Sequence, residues 1–263
     1  MTTCFVDGHV HLQSVYDLDR FLDRAAHVSK RASAPVFLWF VENWGDRAFA
    51  ALRDGTWVPS RHRVVATSEV ESLRVESAEG EGVFLVSGRQ VVTTENLEVL
   101  IVGLSPDDEL AGVAPRAAAA DVLLRRGLAK DALVGLPWGF GKWLGPRGRT
   151  VDEVAARPEF RNEPRFFFGD ILARCRPWPE PSVFRSGPPV LPGTDPLPLV
   201  GFEDRVLRYG FRVEAVLDPD RPWRSLRSAV LARAGLEPFG GPDGLVATIV
   251  NQTRYRLRKR SAS

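Results

Sequence analysis

The 263-residue chain carries 35 Lys and Arg against 33 Asp and Glu, a net charge of +2, with 44% hydrophobic and 26% charged residues. That balance is ordinary for a globular protein; it excludes a disordered or polycationic chain and predicts neither nucleic-acid nor membrane binding. Two cysteines, Cys4 and Cys175, make neither a disulfide framework nor a metal cluster by themselves, and no stretch approaches the ~18 apolar residues of a membrane span.

In chain order, Cys4–Leu12 reads as a strand and Asp17–Ala32 as a helix, with Leu18, Phe21, Leu22 and Ala25 at helical spacing and Asp17 as N-cap. The apolar run Val36–Val41 suits a strand buried on both faces, and a short helix at Asp46–Arg53 completes an α/β opening. The middle is strand-rich. Val64–Ser68, Ser72–Val75, Val83–Val86, Gln90–Thr94 and Glu98–Val102 are short β-like runs, with Glu79-Gly80-Glu81-Gly82 and Ser87-Gly88 as turn signals. The α/β rhythm resumes with a helix at Ala117–Gly127, a strand at Ala132–Leu136, a helix at Thr150–Ala156 and strands at Arg165–Gly169 and Val190–Leu191. Pro177–Pro198 is a proline-rich loop, and Glu203–Tyr209, Trp223–Ala234 and Asp243–Arg258 are expected to be terminal helices. No internal repeat or linker interrupts the chain, so one domain over 1–263 is expected. No leader opens the chain, which predicts a cytoplasmic protein. The basic run Arg254, Arg256, Arg258, Lys259 and Arg260 reads as a solvated helix end.

The sharpest local signal is Phe5-Val6-Asp7-Gly8-His9-Val10-His11-Leu12. Strand alternation places Asp7, His9 and His11 on one face, where two imidazoles two residues apart can reach one cation. Imidazole with carboxylate suits zinc, manganese or iron. Gly8 permits close backbone packing beside them. His27 in a helix and His62 in a basic turn do not fit a strand-end ligand position.

This stretch resembles the opening motif of the amidohydrolase-like and PHP (polymerase and histidinol phosphatase) families, which are β/α barrels carrying metal at the strand ends. Ser87 to Asn96 followed by Leu97 to Leu100 is similar to the PHP segment in which a glycine precedes an acidic ligand strand. Leu191-Pro192-Gly193-Thr194-Asp195 resembles the family's final Gly-Ser-Asp, whose aspartate is a metal ligand. The resemblance implies a distorted β/α TIM-like barrel of the PHP type with a strand-rich insertion. It also implies a divalent ion on His9, His11 and Asp195.

The departures are specific. Gln90 stands where PHP members usually carry an acid, Leu136 stands where a histidine precedes proline, and Asp195 is followed by Pro196-Leu197 instead of Ala-His. The resemblance therefore implies a mononuclear site from His9, His11 and Asp195, with Gln90 or Asp7 as further candidates, and argues against a trinuclear one. A loop rich in Trp, Gly and basic residues, Leu136 to Arg149, occupies the place of the absent histidine. Trp138, Lys142 and Arg147 in it are candidates for holding a small anionic substrate, with Lys142 and Asp195 as catalytic groups; the loop reads equally as a basic, exposed one with Trp138 and Trp143 packed under it. Asp170 and Arg174 are further binding candidates or an i,i+4 ion pair, and Glu42 is a base or a local cap. The expected activity is metal-dependent phosphoester hydrolysis; the alternative is a barrel that has lost turnover and serves as a small-molecule-binding or accessory protein.

Overall fold

The computed structural model describes residues 1–76, 82–139 and 141–261, the last three by backbone alone. The expected turn at Glu79-Gly80-Glu81 and the residue Phe140 lie outside them. The first strand, β1 (Thr2–Val10), leads to α1 (Leu18–Ala32), β2 (Val36–Glu42) and α2 (Ala48–Arg53). Asp17 caps α1 as expected, its carboxylate accepting from Arg20 N at 3.0 Å. Then come β3 (Arg63–Ala66), β4 (Ser72–Glu76), β5 (Val83–Val92) and β6 (Glu98–Val102). These are followed by α3 (Ala120–Ala129), β7 (Leu133–Pro137), α4 (Pro146–Ala156), α5 (Pro158–Arg161) and β8 (Phe166–Gly169). The chain ends with β9 (Tyr209–Ala215), α6 (Pro222–Ala232), β10 (Glu237–Gly240) and α7 (Leu245–Ser261).

One mixed sheet runs in the order β10-β9-β1-β2-β5-β6-β7-β8, with β4 beside the first half of β5 and β3 beyond it. β1, β2 and β5 are parallel neighbours, as are β7 and β8, but β5–β6, β6–β7 and β1–β9 are antiparallel. The fold is therefore mixed α/β and departs from an all-parallel TIM barrel. The sheet curls: Val213 of β9, Val6 of β1, Trp39 of β2, Val86 of β5, Leu133 of β7 and Phe167 of β8 share one hydrophobic cluster with Trp223 and Leu226 of α6. The side chains of β2 alternate between this cluster (Phe37, Trp39, Val41) and an outer one under α1 and α2 (Val36, Leu38, Phe40). Burial on both faces explains the continuous apolar run. Residues 190–195 thread between β8 and β1. Leu191 N donates to Phe168 O at 2.8 Å and Gly193 N to Asp170 O at 2.8 Å on one side; Gly8 N donates to Pro192 O at 3.1 Å and Asp195 N to His9 O at 2.7 Å on the other.

Three expectations are corrected. Ser87 and Gly88 form no turn but lie inside β5, which joins the two runs expected on either side of them. A Cβ on Gly88 would meet Ile101 O at 2.8 Å, so this glycine marks the close approach of β6. Glu203–Tyr209 is not an α-helix: a 3-10 turn at Phe202–Arg205 precedes β9. Val190 makes only an isolated bridge to Phe168. Among the described residues, no helix is long and apolar enough to cross a membrane.

Candidate metal centre

His9 Nε2 lies 3.1 Å from His11 Nε2, and Asp195 Oδ1 stands 3.7 Å from His9 Nε2 and 3.5 Å from His11 Nε2. Ligands about 2.0–2.1 Å from a tetrahedral ion are separated by roughly 3.3 Å. The three atoms thus bracket the spacing that one such ion requires. They are the single group of this kind among the described residues.

Both imidazoles are buried, and burial holds them neutral. His11 is pushed down to about 4 by burial and by His9, against the pull of Asp195, Glu98 and Asp46. His9 is lowered by burial, Asp195 opposing and Lys142 reinforcing the shift. Burial opposes ionisation of Asp195, yet the carboxyl lies below its usual range, with the Lys142 ammonium as the positive charge that favours the carboxylate. Neutral imidazole beside carboxylate is the ligating state of this donor set. Asp195 takes a left-handed backbone, φ 43°. Such strain in a non-glycine residue persists where the surroundings over-determine it.

Glycines let the loop bearing Asp195 pass over β1. A Cβ on Gly193 would collide with the His9 backbone N, and one on Gly8 would meet Pro192 O at 2.8 Å. Asp7 is not part of the donor triangle. The register of β1 against β2 shifts between Asp7 and Val10. The Asp7 carboxylate instead accepts from Thr194 N at 2.8 Å, Thr194 Oγ1 at 2.7 Å, Leu207 N at 2.9 Å and His9 N at 3.3 Å. Burial raises its pKa to about 7 in spite of these four donors.

Lys142 forms an ion pair with Glu98, and its charge bears on both His9 and Asp195. A cation thus stands by the triangle on the loop expected to replace a histidine. Arg147 donates to Gly141 O at 2.9 Å and braces that loop. Trp138 is buried, 6.2 Å edge-to-face from Trp178, and lines a separate cleft of about 230 Å³ with Trp143 and Trp178. Asp170 and Arg174 pair at 2.7 Å, and Tyr209 Oη donates to the second Asp170 oxygen at 2.7 Å. Glu42 pairs with Arg89 at 3.1 Å and caps α2 by accepting from Phe49 N at 2.7 Å. His62 pairs with Asp23 at 2.8 Å, away from the triangle. Beside Asp195, a cavity of about 20 Å³ runs under Thr248, Asn251 and Gln252 of α7. It has room for about one water.

The sequence reading missed Asn43. This residue follows β2, with its Nδ2 3.5 Å from His11 Nδ1 and its Oδ1 accepting from Gln90 Nε2 at 3.2 Å. Its place at the end of a strand parallel to β1 was the available signal.

No family model matches the chain, and no curated protein matches it. Among solved structures, the chain is similar to PsfC from Pseudomonas syringae PB-5123, with a TM-score of 0.53 at 12% identity over 100% of both chains. It is also similar to the lesion-specific endonuclease PfuEndoQ from Pyrococcus furiosus, with a TM-score of 0.56 at 12% identity over 90% of this chain. The chain spans 57% of that endonuclease. At such identity the likeness is one of fold alone.

Proposed function

We propose that the protein is a divalent-metal hydrolase of PHP type acting on a phosphoester through a mononuclear centre. The observation that carries this reading is the His9, His11 and Asp195 triangle, with both imidazoles held neutral at one end of a curled sheet. The fold likeness to a lesion-specific endonuclease supports phosphoester over amide substrates.

His9 Nε2, His11 Nε2 and Asp195 Oδ1 would hold zinc, manganese or iron. When bound, the ion supplies Lewis-acid polarisation and water activation. Lys142, fixed by Glu98, offers its ammonium to an anionic oxygen of the substrate. Arg147 braces the loop that carries Lys142, Trp138 lines the separate cleft, and the Asp170–Arg174 pair stiffens the segment after β8.

The test is elemental analysis of purified wild type and a His9→Ala/His11→Ala variant, followed by phosphomonoester and phosphodiester panels. Near-stoichiometric metal in wild type, lost in the variant along with phosphate release, is expected. Equal metal content in the two proteins, or metal without turnover of any phosphoester, would falsify the reading.

A further inference from the structure

The polarity of the contacts around Asn43 is constrained. An amide shows a donor at one end and an acceptor at the other. With Oδ1 accepting from Gln90 Nε2 at 3.2 Å, Asn43 turns its Nδ2 to His11 Nδ1, 3.5 Å away. His11 Nδ1 is then the unprotonated nitrogen, and the ring proton sits on Nε2. That proton faces His9 Nε2 at 3.1 Å, so the His9 proton sits on Nδ1, a buried atom with no hydrogen-bond partner. The set is self-consistent, yet it opposes ligation, which needs a lone pair on both Nε2 atoms. Gln90 Oε1 is also buried and unpartnered, on a side chain that reaches His9.

We infer that Asn43 is a positioning residue: through Gln90 it sets the tautomer of His11, and the Asn43–Gln90 amide pair holds metal affinity at the site down. The inference rests on the metal-centre reading above. A ligating histidine commonly gives its second N–H to a carboxylate, carbonyl or water. Asn43 could offer His11 an acceptor only by turning its amide, which would set its Nδ2 against Gln90 Nε2, donor against donor. Turning Gln90 as well would restore that bond but place an N–H where Oε1 now lies. A carboxylate at position 43 removes the conflict, because it accepts from Gln90 Nε2 and from His11 Nδ1–H together.

The test compares wild type with Asn43→Asp by calorimetric titration with zinc and with manganese. It also reads the His11 tautomer by 15N NMR of the chelator-treated proteins, with His9, His27 and His62 assigned by single substitutions. Asn43→Asp is expected to bind metal about 10- to 100-fold more tightly, with His11 moving from the Nε2–H to the Nδ1–H tautomer. Nδ1–H in chelator-treated wild type overturns the inference, and this outcome does not depend on Asn43→Asp folding. Metal binding by wild type with no gain in Asn43→Asp overturns it too, leaving the metal centre standing. No binding of either ion by either protein overturns the metal centre and the inference together.

Discussion

Asp7 and Thr194 join the first strand to the loop that carries Asp195: backbone N and Oγ1 of Thr194 both donate to the Asp7 carboxylate, at 2.8 and 2.7 Å. These bonds span 187 positions and place Asp195 beside His9 and His11. Thr194→Val removes one donor to a buried carboxylate. The expected cost is about 1–3 kcal/mol of stability, read as a lower denaturation midpoint, with weaker metal binding because Asp195 is the next residue. An unchanged midpoint would show that the backbone N–H alone suffices.

Gly193→Ala tests the crossing itself. The added Cβ would strike the His9 backbone, so either the loop or β1 must move. The fold is expected to survive with a lowered midpoint while metal affinity falls at least about tenfold, an effect of the size seen when groups supporting ligands are lost. Calorimetric metal titration beside circular dichroism separates the two effects. Wild-type affinity in a folded Gly193→Ala protein would mean that the triangle does not depend on this close approach.

Glu42 and Arg89 form a buried ion pair at 3.1 Å between β2 and β5, and both groups are perturbed by burial. Glu42→Ala leaves a buried guanidinium without its carboxylate and α2 without its cap. About 3–5 kcal/mol of destabilisation is expected, measured by urea unfolding. A loss under about 1 kcal/mol would place the pair among those that solvent screens.

How far the sequence disclosed this arrangement varied with the range of the forces involved. β1, α1 and β2 were legible because each is fixed locally, by alternation, by the Asp17 cap and by an apolar run buried on both faces. The His9-x-His11 spacing and Gly193-Thr194-Asp195 were legible as chemistry. β9 was missed although Tyr209, Phe211, Val213 and Ala215 alternate with more polar partners, because Glu203–Tyr209 was read as a helix running through its start. Asn43 escaped because it is uncharged and its partner Gln90 lies 47 positions on. Asp7 was not separable from the histidines because the donors that take its carboxylate, Thr194 and Leu207, lie 187 and 200 positions on.

Cys4 offers a chemical probe of the core. It is buried in β1, and burial, helped by Glu214, pushes its thiol up to about 12; Cys175 is buried as well. The thiolate is the reactive form, so neither cysteine should react with a disulfide reagent at pH 8 in the native protein, and both should react in denaturant. A rapid native reaction at Cys4 would contradict the packing of β1 against β9.

The pH dependence of stability follows from His11. Its folded pKa of about 4 lies below the ordinary value of 6.5 because burial disfavours the charged ring. Between those two values the unfolded chain binds a proton that the folded chain does not, so stability rises with pH across this window and is lost as pH falls through it. At about 1.36 kcal/mol per pKa unit, the loss for chelator-treated protein is up to about 3 kcal/mol. His9, shifted the same way, adds to the slope. Thermal midpoints from pH 7.5 to 4.5 should therefore fall steeply in wild type and less steeply in His11→Gln, whose side chain takes no proton there. Parallel curves for the two proteins would mean that His11 carries its proton in the fold, and the neutral donor set required at the triangle would be lost with it.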